Sequence, residues 1–160
     1  MSRNNILIII GVIVVLVAAF AVFNPLHITS TSSSTSDTLT FANGALNIQG
    51  EKFNIPDGYD ENGSEIGIQS NVTANARETY DTFTNGNNTI IVKVFYFDDG
   101  NFENLTSDHT DAENKTINNI NGFLSSENDQ VIFNYISNGK LIEIIAPNEN
   151  ILSSIISANK

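Results

Sequence analysis

The segment VIFNYISNGKLIEIIA, residues 131–146, contains the clearest hairpin signal of the chain. Two apolar runs, Val131 to Ser137 and Lys140 to Ala146, flank the dipeptide Asn138-Gly139. An Asn-Gly link between apolar runs indicates a type I′ turn, because both residues tolerate a positive φ angle. The segment therefore predicts two paired antiparallel strands.

The strongest single strand of the sequence is TIIVKVFYF, Thr89 to Phe97. Its alternating positions are apolar on both faces, which is typical of a central strand that is covered on both sides. Lys93 interrupts the second face. This lysine either snorkels to water near a sheet edge or pairs inside the fold. A covalent bond from the lysine to an asparagine, formed beside a buried carboxylate, is a further hypothesis.

Shorter segments separated by turn residues complete the predicted sheet. Asn85 to Asn88 is predicted as a hairpin loop, and Pro56-Asp57-Gly58 as a turn that ends an earlier strand. We interpret Asn121-Gly122 as a bulge or turn within one strand, and residues 101–110 as a short helix. The remaining strands are predicted at Ala45 to Gln49, Glu51 to Ile55, Glu65 to Thr73, Glu78 to Thr84 and Lys115 to Ser125.

Pro147 ends the last strand, and a helical pattern follows from Glu149 to Ala158. Apolar residues between Ile151 and Ile156 repeat with helical spacing, so this stripe must pack on the sheet. Asn148 is a suitable N-cap. The sequence therefore predicts an α+β fold, a mainly antiparallel β-sheet with a C-terminal helix packed on one face.

An uncharged apolar run, residues 6–23, lies near the N-terminus. It has about 18 residues, the lower end of the length that a helix needs to cross a membrane. Arg3 precedes the run and no Lys or Arg follows until Lys52, so the N-terminus is expected in the cytoplasm and the rest outside. A cleaved signal peptide is the alternative, since Ala19-Phe20-Ala21 has small-x-small spacing, but the apolar run continues past that site. We expect an uncleaved signal-anchor and a single-pass protein of the cell membrane.

The remaining sequence divides by composition. A Ser/Thr tract, Thr29 to Thr40, has little to bury and is predicted to be a flexible spacer. The absence of cysteine means that stability comes from the core, from calcium or from other crosslinks. The predicted organisation is a cytoplasmic N-terminus (1–5), a transmembrane helix (6–23), a Ser/Thr-rich stalk (24–40) and an extracytoplasmic α+β domain (41–160).

The formal net charge of the chain is −11, from 7 basic and 18 acidic residues. An acidic surface repels nucleic acid and anionic lipid headgroups. It favours solubility, cations or a cationic partner. Nucleic acid is therefore not an expected partner.

Three segments together resemble small single-pass surface proteins of methanogenic archaea. They are FNIPDGY at residues 53–59, Phe133-Asn134-Tyr135 with Asn138-Gly139-Lys140, and the closing Ile-rich helix. The order of strand, Ile-Pro-x-Gly-Tyr, sheet, hairpin and C-terminal helix is also similar to the Mog1/PsbP-like α/β/α sandwich. The resemblance covers roughly residues 45–160 and implies no catalytic residue at any position of this chain.

Two kinds of candidate site occur in the predicted exterior part. Five Asn-x-Ser/Thr sequons are candidates for N-glycosylation, at Asn62, Asn71, Asn87, Asn104 and Asn114. Calcium binds carboxylate oxygens, and the candidate ligands are Asp98, Asp99, Glu103, Asp108 and Asp111. The acids do not match the spacing of an EF-hand loop, so a solvated acidic loop is the default interpretation.

Catalytic signals are missing from the sequence. His27 and His109 are its two histidines and cysteine is absent, so the usual Cys/His zinc sets are not available. No nucleophile-elbow motif is present, and we predict no cofactor and no catalytic residue. The four tyrosines either form a face on which a ligand stacks or belong to the core; they are Tyr59, Tyr80, Tyr96 and Tyr135.

Three functions remain open at this point. The first is a non-catalytic binding or structural module of the cell envelope. The second is a tethered accessory subunit that docks on another envelope protein, and the third is an enzyme of unknown type. The expected partners are the membrane, through residues 6–23, and an envelope protein or cell-wall polymer.

Overall fold

The computed structural model describes residues 39–73, 76–97 and 111–156, with the backbone alone at residues 68–73 and 76. Two antiparallel sheets and a C-terminal helix occupy this part of the chain, which confirms the predicted mainly antiparallel sheet with a helix on one face. The strands are β1 (Leu39–Ala42), β2 (Ala45–Ile48), β3 (Glu51–Asn54), β4 (Asp60–Glu61), β5 (Gly67–Thr73), β6 (Ala76–Thr84), β7 (Thr89–Phe97), β8 (Glu113–Ile117), β9 (Ile120–Glu127), β10 (Gln130–Ser137) and β11 (Lys140–Ala146), and the helix is α1 (Glu149–Ile156).

The strands divide into a small sheet and a main sheet. The small sheet has the order β1-β2-β3. The main sheet has the order β4-β6-β7-β11-β10-β9-β8, and β5 also pairs with β6. The predicted central strand, β7, lies between β6 and β11, so its interior position is confirmed. This order places β6, β7, β11 and β10 side by side, although β7 and β11 are far apart in the sequence.

Two-residue turns with positive φ at both residues make five of the hairpins. Such turns have the twist of the strands that they join, and asparagine and glycine adopt this conformation more readily than other residues. The predicted Asn138-Gly139 turn is confirmed. The five turns are Asn43-Gly44, Gln49-Gly50, Asn118-Asn119, Asn128-Asp129 and Asn138-Gly139.

The prediction of one strand from Lys115 to Ser125 is wrong. The chain reverses at Asn118 and Asn119, with φ angles of 50° and 69°, and β8 pairs with β9 as a hairpin. Gly122 lies inside β9, where an added Cβ would be 2.3 Å from the backbone oxygen of Asn134. The glycine is therefore required by the close approach of β10 and not by a turn.

The core lies between the main sheet, the small sheet and α1. The core face of the main sheet is the one that carries Val92 and Val94 of β7, and both are fully buried. Leu152, Ile155 and Ile156 of α1 pack on this face, as predicted from their spacing. The small sheet contributes Leu46, Ile48 and Phe53 to the same core.

The N-cap of α1 is confirmed. The Oδ1 atom of Asn148 accepts a hydrogen bond from the backbone N–H of Ile151 at 3.0 Å. This bond satisfies one of the free N–H groups at the start of the helix. At the other end of the domain, β1 begins at Leu39, so the last two residues of the stretch assigned to the stalk belong to the small sheet.

Two predicted helices lie outside the described residues: the transmembrane segment, residues 6–23, and the short helix at residues 101–110. Within the described part of the chain, no helix is long and apolar enough to cross a membrane. The membrane segment therefore stays a prediction from the sequence.

Candidate functional site

Four polar side chains lie on the face of the main sheet opposite the core and form the polar cluster: Glu78 on β6, Lys93 on β7, Glu143 on β11 and Asn134 on β10. Lys93 is the direct register partner of Glu143, and Glu143 is that of Asn134. Directly opposed residues of an antiparallel ladder have their side chains on the same face. Glu78 lies diagonally from Lys93, because Tyr80 is the direct partner of Lys93 on β6.

Lys93 and Glu143 form a buried ion pair. The Nζ atom of Lys93 is 3.0 Å from Oε1 of Glu143, and the side chains are 8% and 2% exposed. Oε1 nevertheless has no hydrogen-bond donor, so the ammonium group is at ion-pair distance without hydrogen-bond alignment. Lys93 is therefore paired inside the fold. The alternative that it snorkels to water near a sheet edge is wrong, because β7 is an interior strand.

Glu78 is the third ionisable group of the polar cluster, and it is also buried. The pKa of its carboxyl group is raised to about 7, mainly by burial. The charge of Lys93 opposes this increase, and the charge of Glu143 adds to it. Glu78 therefore keeps its proton in acidic solution and up to about neutral pH. With Glu78 neutral, the charges of Lys93 and Glu143 cancel, which avoids the large free-energy cost of an unpaired buried charge.

Asn134 adds a primary amide to the polar cluster. Its side chain is buried, and its Oδ1 atom has no hydrogen-bond partner. Asn134 lies next to Glu143 but two strand spacings from Lys93, which separates the two Cα atoms by about 10 Å. The covalent bond from Lys93 to an asparagine stays a prediction, with Asn134 as the asparagine in the same row of the sheet.

A second buried carboxylate, Glu51 of β3, joins the small sheet to the hairpin of β10 and β11. It accepts hydrogen bonds from Oγ of Ser137 at 2.8 Å, Nδ2 of Asn138 at 2.9 Å and Nζ of Lys140 at 2.9 Å. Burial pushes the pKa of Glu51 upward, but these hydrogen bonds and the charge of Lys140 outweigh burial and lower it overall. The carboxylate is therefore held ionised, and its contacts are those of a structural clamp.

A fourth buried acid, Asp81 of β6, lies among the core residues. Its Oδ1 atom accepts a hydrogen bond from the backbone N–H of Thr82 at 2.8 Å. Burial raises the pKa of Asp81 to about 7, and the nearby carboxylate of Glu61 adds to the increase. The two acids belong to adjacent strands, since β4 pairs with β6. The raised pKa of Asp81 makes folding sensitive to pH.

The sequon asparagines lie at different kinds of position. Asn87 is exposed in the loop between β6 and β7, and Asn114 is exposed on β8, the edge strand of the main sheet. Asn62 is partly exposed directly after β4. Asn71 lies on β5, where the side chain is not described, and Asn104 lies outside the described residues. Glycosylation of these asparagines stays a prediction.

Most of the predicted calcium ligands, Asp98, Asp99, Glu103 and Asp108, lie outside the described residues. Asp111 is an exposed residue of a turn. Among the described side chains, no group of three or more His, Cys, Asp or Glu is arranged to hold a metal ion. The calcium site is therefore still a prediction from the sequence.

The four tyrosines do not form one ligand-stacking face. Tyr59 and Tyr135 are core residues, and Tyr96 packs against the same core. Tyr80 is the direct register partner of Lys93, so it lies with Lys93 on the face of the main sheet that is turned away from the core. Burial, followed by the charge of Glu51, raises the pKa of Tyr135, so its hydroxyl stays protonated. The interpretation as core is confirmed for Tyr59 and Tyr135.

Sequence reasoning singles out Lys93 but misses Glu143, Glu78 and Asn134. A signal for Glu143 exists, because it is the one charged residue between Leu141 and Ala146 in an otherwise apolar strand. An acid at such a position requires a buried partner. Nothing local identifies the partner, since the pairing of β7 with β11 is a property of the folded sheet.

Comparison of the chain with protein-family models, curated proteins and solved structures finds no match. The polar cluster is therefore interpreted from its own chemistry. It combines a primary amine, two carboxyl groups and a primary amide on adjacent strands, in a buried region. Such a set can transfer protons between its own members, and its described contacts are between side chains of the same sheet.

Proposed function

We propose that the chain is a non-catalytic structural or binding module of the cell envelope, held outside the membrane by one N-terminal helix at residues 6–23. The observation that carries the proposal is the distribution of charged groups in the domain. The buried charges of Lys93 and Glu143 are paired with each other, and Glu51 is paired with Lys140. These groups serve the internal stability of the domain.

The junction between the predicted stalk and the domain supports a tethered arrangement. The Ser/Thr tract leads directly into β1, which starts at Leu39. From β1 the chain continues through the small sheet, which packs into the common core through Leu46, Ile48 and Phe53. A tether that enters through a packed strand connects the spacer to the body of the domain.

The outer surface supports a location in water outside the cell. The described sequon asparagines Asn62, Asn87 and Asn114 are partly or fully exposed. A glycan at any of them would extend into solvent without entering the core. Ile66 is the large hydrophobic residue that is most exposed among the described side chains, at 37%. The surface therefore has the polar character of a solvated module.

The second candidate function is an accessory subunit that docks on another envelope protein. The observation that favours it is a run of exposed acids around β4, formed by Asp57, Asp60, Glu61 and Glu65. No Lys or Arg occurs between Phe53 and Ala76, so the charged residues of this segment are all acidic. A partner for this edge would present a basic surface.

Single-cysteine labelling tests the proposed topology, because the natural chain contains no cysteine. We expect full-length Asn87→Cys to react with a membrane-impermeant maleimide on intact cells. Ser2→Cys is the matched control and should react after the membrane is permeabilised. Equal protection of both variants on intact cells, or labelling of Ser2→Cys alone, would overturn the external location.

Crosslinking in native membranes separates the two candidate functions. The full-length protein is captured after mild crosslinking, and the attached material is identified by mass spectrometry. Wall or glycan fragments would support the stand-alone module. A stoichiometric protein with a basic surface would support the docking subunit, and replacing the acids around β4 by amides should then weaken its capture.

A further inference from the structure

We propose that Lys93 and Glu143 form an intramolecular isopeptide bond, with the carboxyl group of Glu78 carrying the proton that the reaction moves. The bond would join β7 to β11 across the middle of the main sheet. It would supply a covalent crosslink to a domain that has no cysteine. The inference concerns the stability of the domain and stands apart from the question of its partner.

The geometry brings the two reacting groups together without movement of the backbone. Lys93 and Glu143 are direct register partners on adjacent strands, and Nζ is 3.0 Å from Oε1. The bond would form between Nζ and Cδ, the carbon that carries Oε1, and a near-attack contact needs these two atoms at ~3–3.5 Å. Oε1 of Glu143 accepts no hydrogen bond, so no directional hydrogen bond to this atom has to break before Nζ reaches Cδ.

The polar cluster contains the protons that the reaction needs. In the neutral state of the polar cluster, Lys93 is an ammonium group, Glu143 is a carboxylate and Glu78 is a carboxylic acid. Transfer of one proton from Nζ to Glu143 produces a free amine beside an uncharged carboxylic acid. Both are the forms required for amide formation, and the net charge of the buried region does not change.

The chemical step conserves atoms and charge. The Nζ lone pair attacks Cδ of Glu143, and a C–N bond forms to give a tetrahedral intermediate. Glu78 donates its proton to the hydroxyl that leaves and takes a proton from the nitrogen. The C–O bond breaks, one water molecule departs, and a neutral secondary amide remains. No oxidant, reductant or further reactant is required.

Burial favours the product over the ion pair. The side chains of Lys93 and Glu143 are nearly inaccessible to water, so their charges are held in a region of low dielectric constant. An amide removes both charges and replaces them by one donor and one acceptor. Little water reaches a buried site, so hydrolysis of the new amide bond is suppressed. A crosslink between positions 93 and 143 also restricts the unfolded chain, as a disulfide does.

The first test is the intact mass of the denatured, full-length natural protein. The expected mass is lower than the sequence mass by one water molecule. Tryptic digestion should yield a branched peptide that joins residues 78–115 to residues 141–160, because trypsin does not cleave after an acylated lysine. An unreacted chain yields residues 78–93, 94–115 and 141–160 as separate peptides.

The peptide map separates this reaction from other losses of small molecules. Succinimide formation at Asp57-Gly58 also removes water, but it produces no branched peptide. Loss of ammonia with residues 116–140 in the branched peptide would make an asparagine of that peptide the acceptor, Asn134 if its fragment ions place the branch there, and would overturn the assignment to Glu143. An unchanged mass with only linear peptides would show that Lys93 and Glu143 are an ion pair only, and would overturn the proposal.

Two variants test the roles of the side chains. Lys93→Arg keeps a positive charge opposite Glu143, and its guanidinium group should leave the mass at the full sequence value. Glu78→Gln keeps the size of the side chain but cannot donate a carboxylic proton. We expect it to form the branched peptide at least about tenfold more slowly, since a positioned acid–base group contributes 10²–10⁴-fold. Formation at the natural rate in Glu78→Gln would overturn the role of Glu78.

Discussion

Replacing Glu51 by Gln should weaken the domain at the junction between its two sheets. Glu51 is 4% exposed, and it accepts hydrogen bonds from Ser137, Asn138 and Lys140 at 2.8–2.9 Å. Glutamine has almost the same shape but has no charge. Its amide nitrogen is a donor and would face one of the three partner groups, which also donate. The change therefore removes the charge-assisted part of the clamp while the volume of the side chain is kept.

The size of the effect follows from these contacts. A hydrogen bond to a charged group contributes about 1.5–3 kcal/mol, and breaking a buried ion pair costs about 3–5 kcal/mol. The side chain of Lys140 is 23% exposed, so water offsets part of the loss at that partner. We therefore expect Glu51→Gln to lower the free energy of unfolding by about 2–3 kcal/mol.

The measurement is urea denaturation of the full chain in mild detergent at neutral pH, with unfolding monitored by circular dichroism. Glu149→Gln is the matched control, because Glu149 is half exposed and its 3.2 Å contact with Lys115 lies at the surface. The control should leave the denaturation midpoint unchanged. A Glu51→Gln variant as stable as the natural protein would refute the assignment of Glu51 as a clamp.

Acid provides a second check on the same carboxylate. The pKa of Glu51 is lowered from its ordinary value of 4.5, so the ionised form stabilises the folded state above that value. This contribution is lost as the pH falls below 4.5 and through the lower pKa of the folded state. The difference in stability between the natural protein and Glu51→Gln should therefore shrink in strong acid. A difference that stays constant would contradict the origin of the effect in the charge of Glu51.

Two further predictions concern a glycine and a buried acid. Gly122→Ala should lower the free energy of unfolding by about 2–3 kcal/mol, because its Cβ would meet the backbone of β10. The control Gly63→Ala has open space around the added Cβ and should be neutral within about 0.5 kcal/mol. Equal stability of the two variants in urea denaturation would contradict the close approach. The pKa of Asp81 is raised to about 7 from 3.8, so folding should lose stability as the pH rises from 4 to 7. Asp81→Asn should flatten this dependence and be about 1–2 kcal/mol more stable than the natural protein at pH 8, a value reduced for screening of the exposed Glu61 by water. A pH profile that is the same in the variant and the natural protein would contradict this role of Asp81.

The strands with strong local signals were predictable from the sequence. Thr89 to Phe97 alternates between two apolar faces, and the Asn138-Gly139 link has the residues that a type I′ turn requires. The turn at Asn118-Asn119 was not predicted, because asparagine tolerates positive φ but is not restricted to it. By residue type, the nearby Asn121-Gly122 is a stronger turn signal than Asn118-Asn119. In the fold, that glycine instead makes room for a neighbouring strand.

The polar cluster could be predicted only in part. Lys93 attracts notice within its own strand, since a single charge in an apolar run needs a partner or a route to water. Its partner, Glu143, is about as unusual within β11, but β8, β9 and β10 lie between the two positions in the sequence. Their contact requires that β7 pair with β11 in one particular register, and a shift of one residue would place them on opposite faces.

The sequence by itself determined the class of the domain, its central strand, its final hairpin and the helix with its Asn148 cap, because these depend on the period of the apolar residues and on turn and cap chemistry within a few positions. Only the tertiary structure decided that the first three strands form a separate sheet, and that Glu78, Lys93, Glu143 and Asn134 share one face. Backbone hydrogen bonds between strands are nearly independent of side-chain identity. The choice of neighbouring strands and their register is therefore made by the burial of the whole apolar surface at once.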